Sequence, residues 1–120
     1  MQKILNVWIN EFVTRWKNKD IDSVIKLFSN ICLYYETPFS NVVSKVDDIK
    51  NLWLDIIFQD DIVLDIDVLM EDNNNAILHW YLKYKDARDL NIYEMDGIYQ
   101  IELDNEGHCT FFKQWWVMNE

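Results

Sequence analysis

Glycine, proline and cysteine are scarce in this chain, at two, one and two among 120 residues. So few breakers exclude collagen-like, linker-like and low-complexity readings. Cys32 and Cys109 are too few for a disulfide scaffold, and buried free thiols in a reducing cytoplasm are the expectation. Positive charge is short too: 11 Lys and Arg stand against 21 Asp and Glu, a net charge of −10. That surplus of acid repels phosphate backbones and anionic lipid, so nucleic acid and membrane surfaces are not expected partners. No stretch approaches the ~18 apolar residues of a membrane span, and no basic segment precedes an apolar run as in a secretory signal. A phosphate loop, a Gly-x-Ser-x-Gly elbow and a Rossmann fingerprint are all missing. What the chain has in plenty is apolar surface. Half of it is hydrophobic and 15% is aromatic, enough for one domain over residues 1–120 with a sizeable core.

The order of periodicities sets the fold class. Ile4, Leu5, Trp8, Ile9, Phe12, Val13 and Trp16 make one wide helical stripe over residues 3–17. Asp20 is placed to cap a second helix running through Phe28, with Ile21, Val24 and Ile25 on its apolar side. Residues 31–36 turn to β-formers and stop at Thr37-Pro38. Residues 46–58 return to helix, with Asp47 and Asp48 in the first turn. After residue 60 the pattern alternates with period 2, broken by turns at 73–75, 86–90 and 104–107. Pairing 72 with 76 sets Val68 against Trp80 and Ile66 against Leu82, and puts Asp65 opposite Lys83. Pairing 103 with 108 puts Tyr99 opposite Phe112 and Gly97 opposite Gln114. Helices followed by a four-strand antiparallel meander give an α+β domain.

Several strings then resemble a known superfamily. Residues 16–28, opening Trp16-Lys-Asn-Lys-Asp20, and the run Tyr34-Tyr35-Glu36-Thr37-Pro38-Phe39 are similar to the opening of the nuclear transport factor 2-like, or SnoaL-like, fold. The ending, with Asp96-Gly97-Ile98-Tyr99 and Phe112-Lys113-Gln114-Trp115-Trp116, fits as well. The resemblance implies a curved antiparallel sheet wrapped around N-terminal helices, a cone with an apolar pocket. It does not imply one activity, because the superfamily holds isomerases, cyclases, dehydratases and non-catalytic binding or dimerisation modules. The isomerase branch's helix-1 tyrosine falls on Phe12, its general-base aspartate on Thr37 and its protonated aspartic acid on Tyr99. A phenylalanine cannot donate and a threonine cannot take a proton at neutral pH, so ketosteroid isomerase activity is not expected. Arg15 and Arg88 supply no Asp–Arg–Asp set of the hydrolase kind.

The strand parity gives an inward lining of Tyr35, Thr37, Leu78, Trp80, Leu82, Tyr99, Ile101, Phe112, Gln114 and Trp116, closed by Trp8, Phe12 and Trp53 from the helices. Most of these serve equally as plain core. Thr37, Tyr99 and Gln114 are the polar candidates for orienting a ligand, since a buried amide needs a hydrogen-bond partner. No carboxylate or histidine is expected inside. His79 falls on the outer face and shares it with no ligand set, so no metal and no cofactor are expected. The acids at 60, 61, 65, 67, 71 and 72 lie along a strand without the glycine of a calcium loop and read as a solvated face.

Two functions follow. One is accommodation of a small, largely apolar molecule in the cone, by a binding protein or by an enzyme of the cyclase, isomerase or dehydratase kind. The other is a non-catalytic interaction module whose cone is filled by its own aromatics. For either, His79, Tyr81, Ile98, Phe111 and Trp115 form an outer patch expected to pair two copies of the chain. Trp115→Glu, placing a charge in that patch at a cost of several kcal/mol, is expected to give a monomer in sedimentation at micromolar concentration. Unchanged sedimentation places any interface elsewhere.

Overall fold

The computed structural model describes residues 3–119. Helix α1 (Ile4–Lys17) is followed by the short α2 (Ile21–Ile25), then strands β1 (Phe28–Tyr35) and β2 (Val43–Lys45). Helix α3 (Val46–Trp53) runs on into a single-turn 3-10 segment, Leu54–Phe58. Strands β3 (Gln59–Asp72), β4 (Asn75–Asp86), β5 (Ile92–Leu103) and β6 (Cys109–Met118) complete the chain. All six strands form one sheet in the order β2-β1-β6-β5-β4-β3. Every neighbouring pair is antiparallel except β1 and β6, which run parallel. The helices cover the concave face, and this is the α+β cone expected from the sequence. No helix among the described residues is long and apolar enough to cross a membrane.

The local signals act as their chemistry demands. Asp20 caps α2 by accepting from the Ser23 amide at 3.2 Å and the Ser23 hydroxyl at 2.7 Å. Those bonds hold its carboxyl below the ordinary range. Asp47 and Asp48 lie in the first turn of α3, where the helix dipole favours acid. The apolar stripe of α1 is buried at Leu5, Trp8, Ile9, Phe12 and Trp16. Phe12 is wholly enclosed: it stacks on Trp8 with centroids 4.8 Å apart and meets Trp16, Trp53, Tyr99 and Phe112 at 5.5 to 6.2 Å.

Three sequence expectations are corrected and one strand is added. Helix α2 stops at Ile25, and Phe28 is a buried strand residue. The second is the helix expected over 46–58, which ends at Trp53 and tightens into the 3-10 turn. The added strand is β2, which carried no signal of its own, at three residues. Third, both hairpin registers are displaced by two residues. In β3–β4 a two-residue turn, with Asn73 at φ 55°, moves the pairing by one. A bulge between Val68 and Met70 moves it by one more. The result pairs Ile66 with Trp80, Leu64 with Leu82 and Asp65 with Tyr81, so no Asp65–Lys83 pair forms. In β5–β6 a wider turn, with Gly107 at φ 85°, and a bulge at Thr110 act likewise, and Gln114 pairs with Tyr99 while Gly97 pairs with Trp116. A shift of two keeps each side chain on its face, so the inward sets of β4, β5 and β6 survive although the partners change.

Gly97 therefore leaves no space beside Gln114. It is a close-approach point: a Cβ there would lie 2.2 Å from the Trp115 carbonyl oxygen and 2.7 Å from Cε2 of the Trp80 indole. Gly97→Ala is expected to cost about 3 kcal/mol or more, above the usual range for overpacking because one obstruction is backbone. Gly107→Ala is expected to cost only the left-handed penalty of about 1–2 kcal/mol. Urea midpoints of the two variants check the order, and equal costs contradict it.

Candidate functional site

The cone is packed at one end and open at the other. Around the middle of α1, Trp8, Phe12, Phe28, Ile101 and Phe112 are buried and fill the interior. Towards the C-terminal end of α1 and the end of α3 the packing stops, leaving a cavity of about 230 Å³ that opens to solvent on one side. Its walls come from Trp16, Trp53 and Ile56 of the helical layer and from strand residues Tyr34, Trp80, Leu82, Tyr99, Gln114 and Trp116. Glu36, Asp55, Gln59, Tyr84 and Met95 complete the lining with Leu52.

The cavity takes in part of the inward set read from the sequence. Trp53, Trp80, Tyr99, Gln114 and Trp116 line it. Trp8, Phe12 and Phe112 lie in the solid core instead, at 1% exposure or less. Tyr35 and Thr37 are not inside. Strand β1 runs in the opposite phase: Cys32 and Tyr34 are buried, while Tyr35 turns outward, with the Lys113 ammonium 5.1 Å from its ring. The Thr37 hydroxyl bonds that of Ser40 at 2.8 Å and borders an outer groove with Phe39 and Trp115. The outer-face residues are on that face: Trp115 pairs with Ile98, which pairs with His79, in one row across β6, β5 and β4. His79 Nε2 is 2.9 Å from Asp96 and Nδ1 is 3.7 Å from Asp67, and Tyr81 donates to Glu94.

The same phase reversal carries a carboxyl into the cone. With Tyr34 inward, Glu36 faces the same way and lines the cavity. It is half-buried, and loss of water pushes its carboxyl above the ordinary value of 4.5, with the Tyr34 hydroxyl beside it pulling weakly the other way. The Tyr34 and Tyr99 phenols, fully enclosed, are pushed well up by burial first and by the Glu36 charge second. Both stay protonated near neutrality and act as hydrogen-bonding groups, not bases. Asp55, at the mouth, has the Arg88 guanidinium 3.5 Å away. Glu36 has no such partner among the described residues: no positive charge contributes to its environment.

The indoles divide by function. Trp8 donates to the Leu27 carbonyl at 3.0 Å, and Trp16 donates to the Gln59 amide oxygen at 2.7 Å. The N–H groups of Trp53 and Trp80 are buried without a well-formed hydrogen bond, the Trp53 group lying near the Tyr34 hydroxyl. Both rings line the cavity, while their nitrogens are themselves sealed from it, with almost no accessible surface. Buried donors without partners are rare in folded proteins and call for an explanation. The donor set, with one free carboxyl and no histidine or cysteine, offers nothing that would hold a metal, and no group of three metal-ligating side chains occurs among the described residues.

No family model matches this sequence and no curated sequence is similar to it. Solved structures are similar in backbone only. The epoxide hydrolase/cyclase-like enzyme SalBIII, of pyran ring formation in the polyether salinomycin, superposes with TM-score 0.79 at 10% identity, over 92% of this chain and 88% of that one. A Mycobacterium tuberculosis protein in complex with estradiol-17beta-hemisuccinate gives TM-score 0.79 at 9% identity, over 99% of this chain and 100% of its own. The Δ5-3-ketosteroid isomerase from a Mycobacterium species gives 0.79 at 10% identity, over 98% of both. A protein of unknown function from an Exiguobacterium species, described as NTF2-like, gives 0.72 at 16% identity, over 94% of this chain and 98% of that one. At these identities the likeness speaks for architecture, and the chain has the nuclear transport factor 2-like, SnoaL-like, fold.

Proposed function

We propose that the open end of the cone binds a small, largely apolar, ring-bearing molecule. The observation that carries this reading is the cavity itself, about 230 Å³ walled by indole and phenol rings and open to solvent, at one end of a cone whose other end is packed. A cavity of ~150 Å³ lined by apolar side chains takes benzene. About 230 Å³ therefore suits one ring with a substituent, or a compact bicycle, more readily than a steroid. A filled interaction module is the weaker reading, because the aromatics fill only one end of the cone. Glu36 is the lining carboxyl without a cation partner among the described residues, and burial raises its hold on a proton, so it is the residue on which any acid–base chemistry here would rest.

Intrinsic tryptophan fluorescence tests the reading. Compact ketones such as indanone and tetralone are expected to quench it saturably. Met95→Trp, which fills the lining, is expected to weaken that quenching at least tenfold. Absence of saturable binding by any such compound overturns the proposal.

The Glu36 carboxyl gives a second, ligand-free test. Its raised value means that the ionised form is disfavoured in the fold, so the fold carries a penalty above that value. The penalty is lost as pH falls through the raised value towards 4.5, where the unfolded chain also takes up the proton. Glu36→Gln is therefore expected to raise the thermal midpoint at neutral pH, by a few degrees, and to match the parent protein near pH ~4. A midpoint lowered at neutral pH contradicts the assignment of Glu36 as an unpaired, desolvated acid.

A further inference from the structure

The charge pattern of the cavity goes one step beyond its size, on the condition that the cavity does bind a ligand. Trp16, Trp53, Trp80, Trp116, Tyr84 and Tyr99 supply aromatic walls, and Glu36 and Asp55 supply the charge. No lysine, arginine or histidine lines the space among the described residues. Asp55 is matched outside the cavity by Arg88, which also holds Asp86 at 2.8 Å and lies 4.3 Å from the centre of the Phe58 ring. Glu36 is matched by nothing positive. Aromatic side chains attract cations through their electron-rich faces, and more so away from water. A half-buried carboxylate without a counter-charge is costly, and the same cost is relieved when a cation is brought to it. The net charge of −10 also raises the local concentration of cations.

We propose that the ligand of the cone is a compact organic cation, a tertiary or quaternary ammonium, seated against Glu36 within the indole and phenol walls. Neither the fold nor the compared structures call for this. It follows from the pairing of an unmatched acid with an aromatic lining in this chain.

Phenyltrimethylammonium and its neutral isostere tert-butylbenzene separate charge from shape. Fluorescence titrations at fixed ionic strength are expected to show the cation binding at least tenfold more tightly. Glu36→Gln is expected to abolish that preference, so that the two probes bind within a factor of about two of one another. Glu36→Asp, which keeps the charge, is expected to retain part of it, and circular dichroism checks that both variants are folded. Equal binding of the two probes by the parent protein overturns the cation proposal and leaves the cavity reading standing. Failure of both probes counts against both. A cation preference that survives in Glu36→Gln assigns the attraction to the net charge and also overturns the proposal.

Discussion

Phe12 is the residue on which the rest of the molecule turns. Helix α1 has to lie across a curved sheet at a fixed depth, and the Phe12 ring sets that depth. It is stacked on Trp8, edged by Trp16 and Trp53, and seated on Tyr99 of β5 and Phe112 of β6. Aromatic pairs of this geometry contribute about 0.5–1.5 kcal/mol each beyond their burial. One side chain thus joins α1, α3, β5 and β6. The same packing decides where the cavity begins, because the interdigitated rings end at Trp16 and Trp53, which face one another edge to face at 4.7 Å. Beyond them the space widens and the side chains no longer meet. A tyrosine at position 12 would bring a hydroxyl into this enclosed point, so a phenylalanine there suits a packed hub.

The polar groups follow a related economy. Outside the cone they are paired: Asp86 is held low by Arg88, Asp89 and Glu94 by the hydroxyl or amide groups of Tyr93 and Asn119, and Lys50 is raised by Asp22. Lowered carboxyls add stability above their ordinary range, and it is lost as acid protonates them. Apart from the buried Asp86, these groups are largely exposed, and water and salt weaken their pairing. Inside the cone the rule is relaxed: the Glu36 carboxyl is desolvated without a cation partner among the described residues, and the buried Trp53 and Trp80 N–H groups make no well-formed hydrogen bond.

The fold was legible where the sequence contrasts apolar and polar positions. The α1 stripe is unambiguous, and β4, with Leu78, Trp80 and Leu82 against His79, Tyr81 and Lys83, announces its inner face. Strand β1 was not legible, because Ile31, Leu33 and Tyr35 alternate with Cys32, Tyr34 and Glu36, and both sets include large apolar or aromatic residues. Only the structure shows that Ile31 is 74% exposed while Cys32 is enclosed. That ambiguity hid Glu36, since a strand read in the wrong phase exchanges its two faces entirely. The hairpin partners were hidden for another reason. Bulges at residue 69 and at Thr110 each insert one residue without leaving a composition signal. The free indole N–H groups lay beyond any sequence reading, because whether a tryptophan finds an acceptor depends on backbone brought from elsewhere in the chain.

The parallel seam between β1 and β6 sets an order of assembly. Residues 28–35 pair with a strand that begins at Cys109, so most of the chain intervenes between the two edges. Contacts so distant in sequence form late, because a long loop must close before they give any return. During synthesis α1, α2 and β1 leave the ribosome well before β6, and until then β1 has only the three-residue β2 beside it. The cavity spans this seam, with Tyr34 and Glu36 on one side and Gln114 and Trp116 on the other. Its walls come together only when the last strand docks, so any ligand it accepts can enter only after translation has delivered β6.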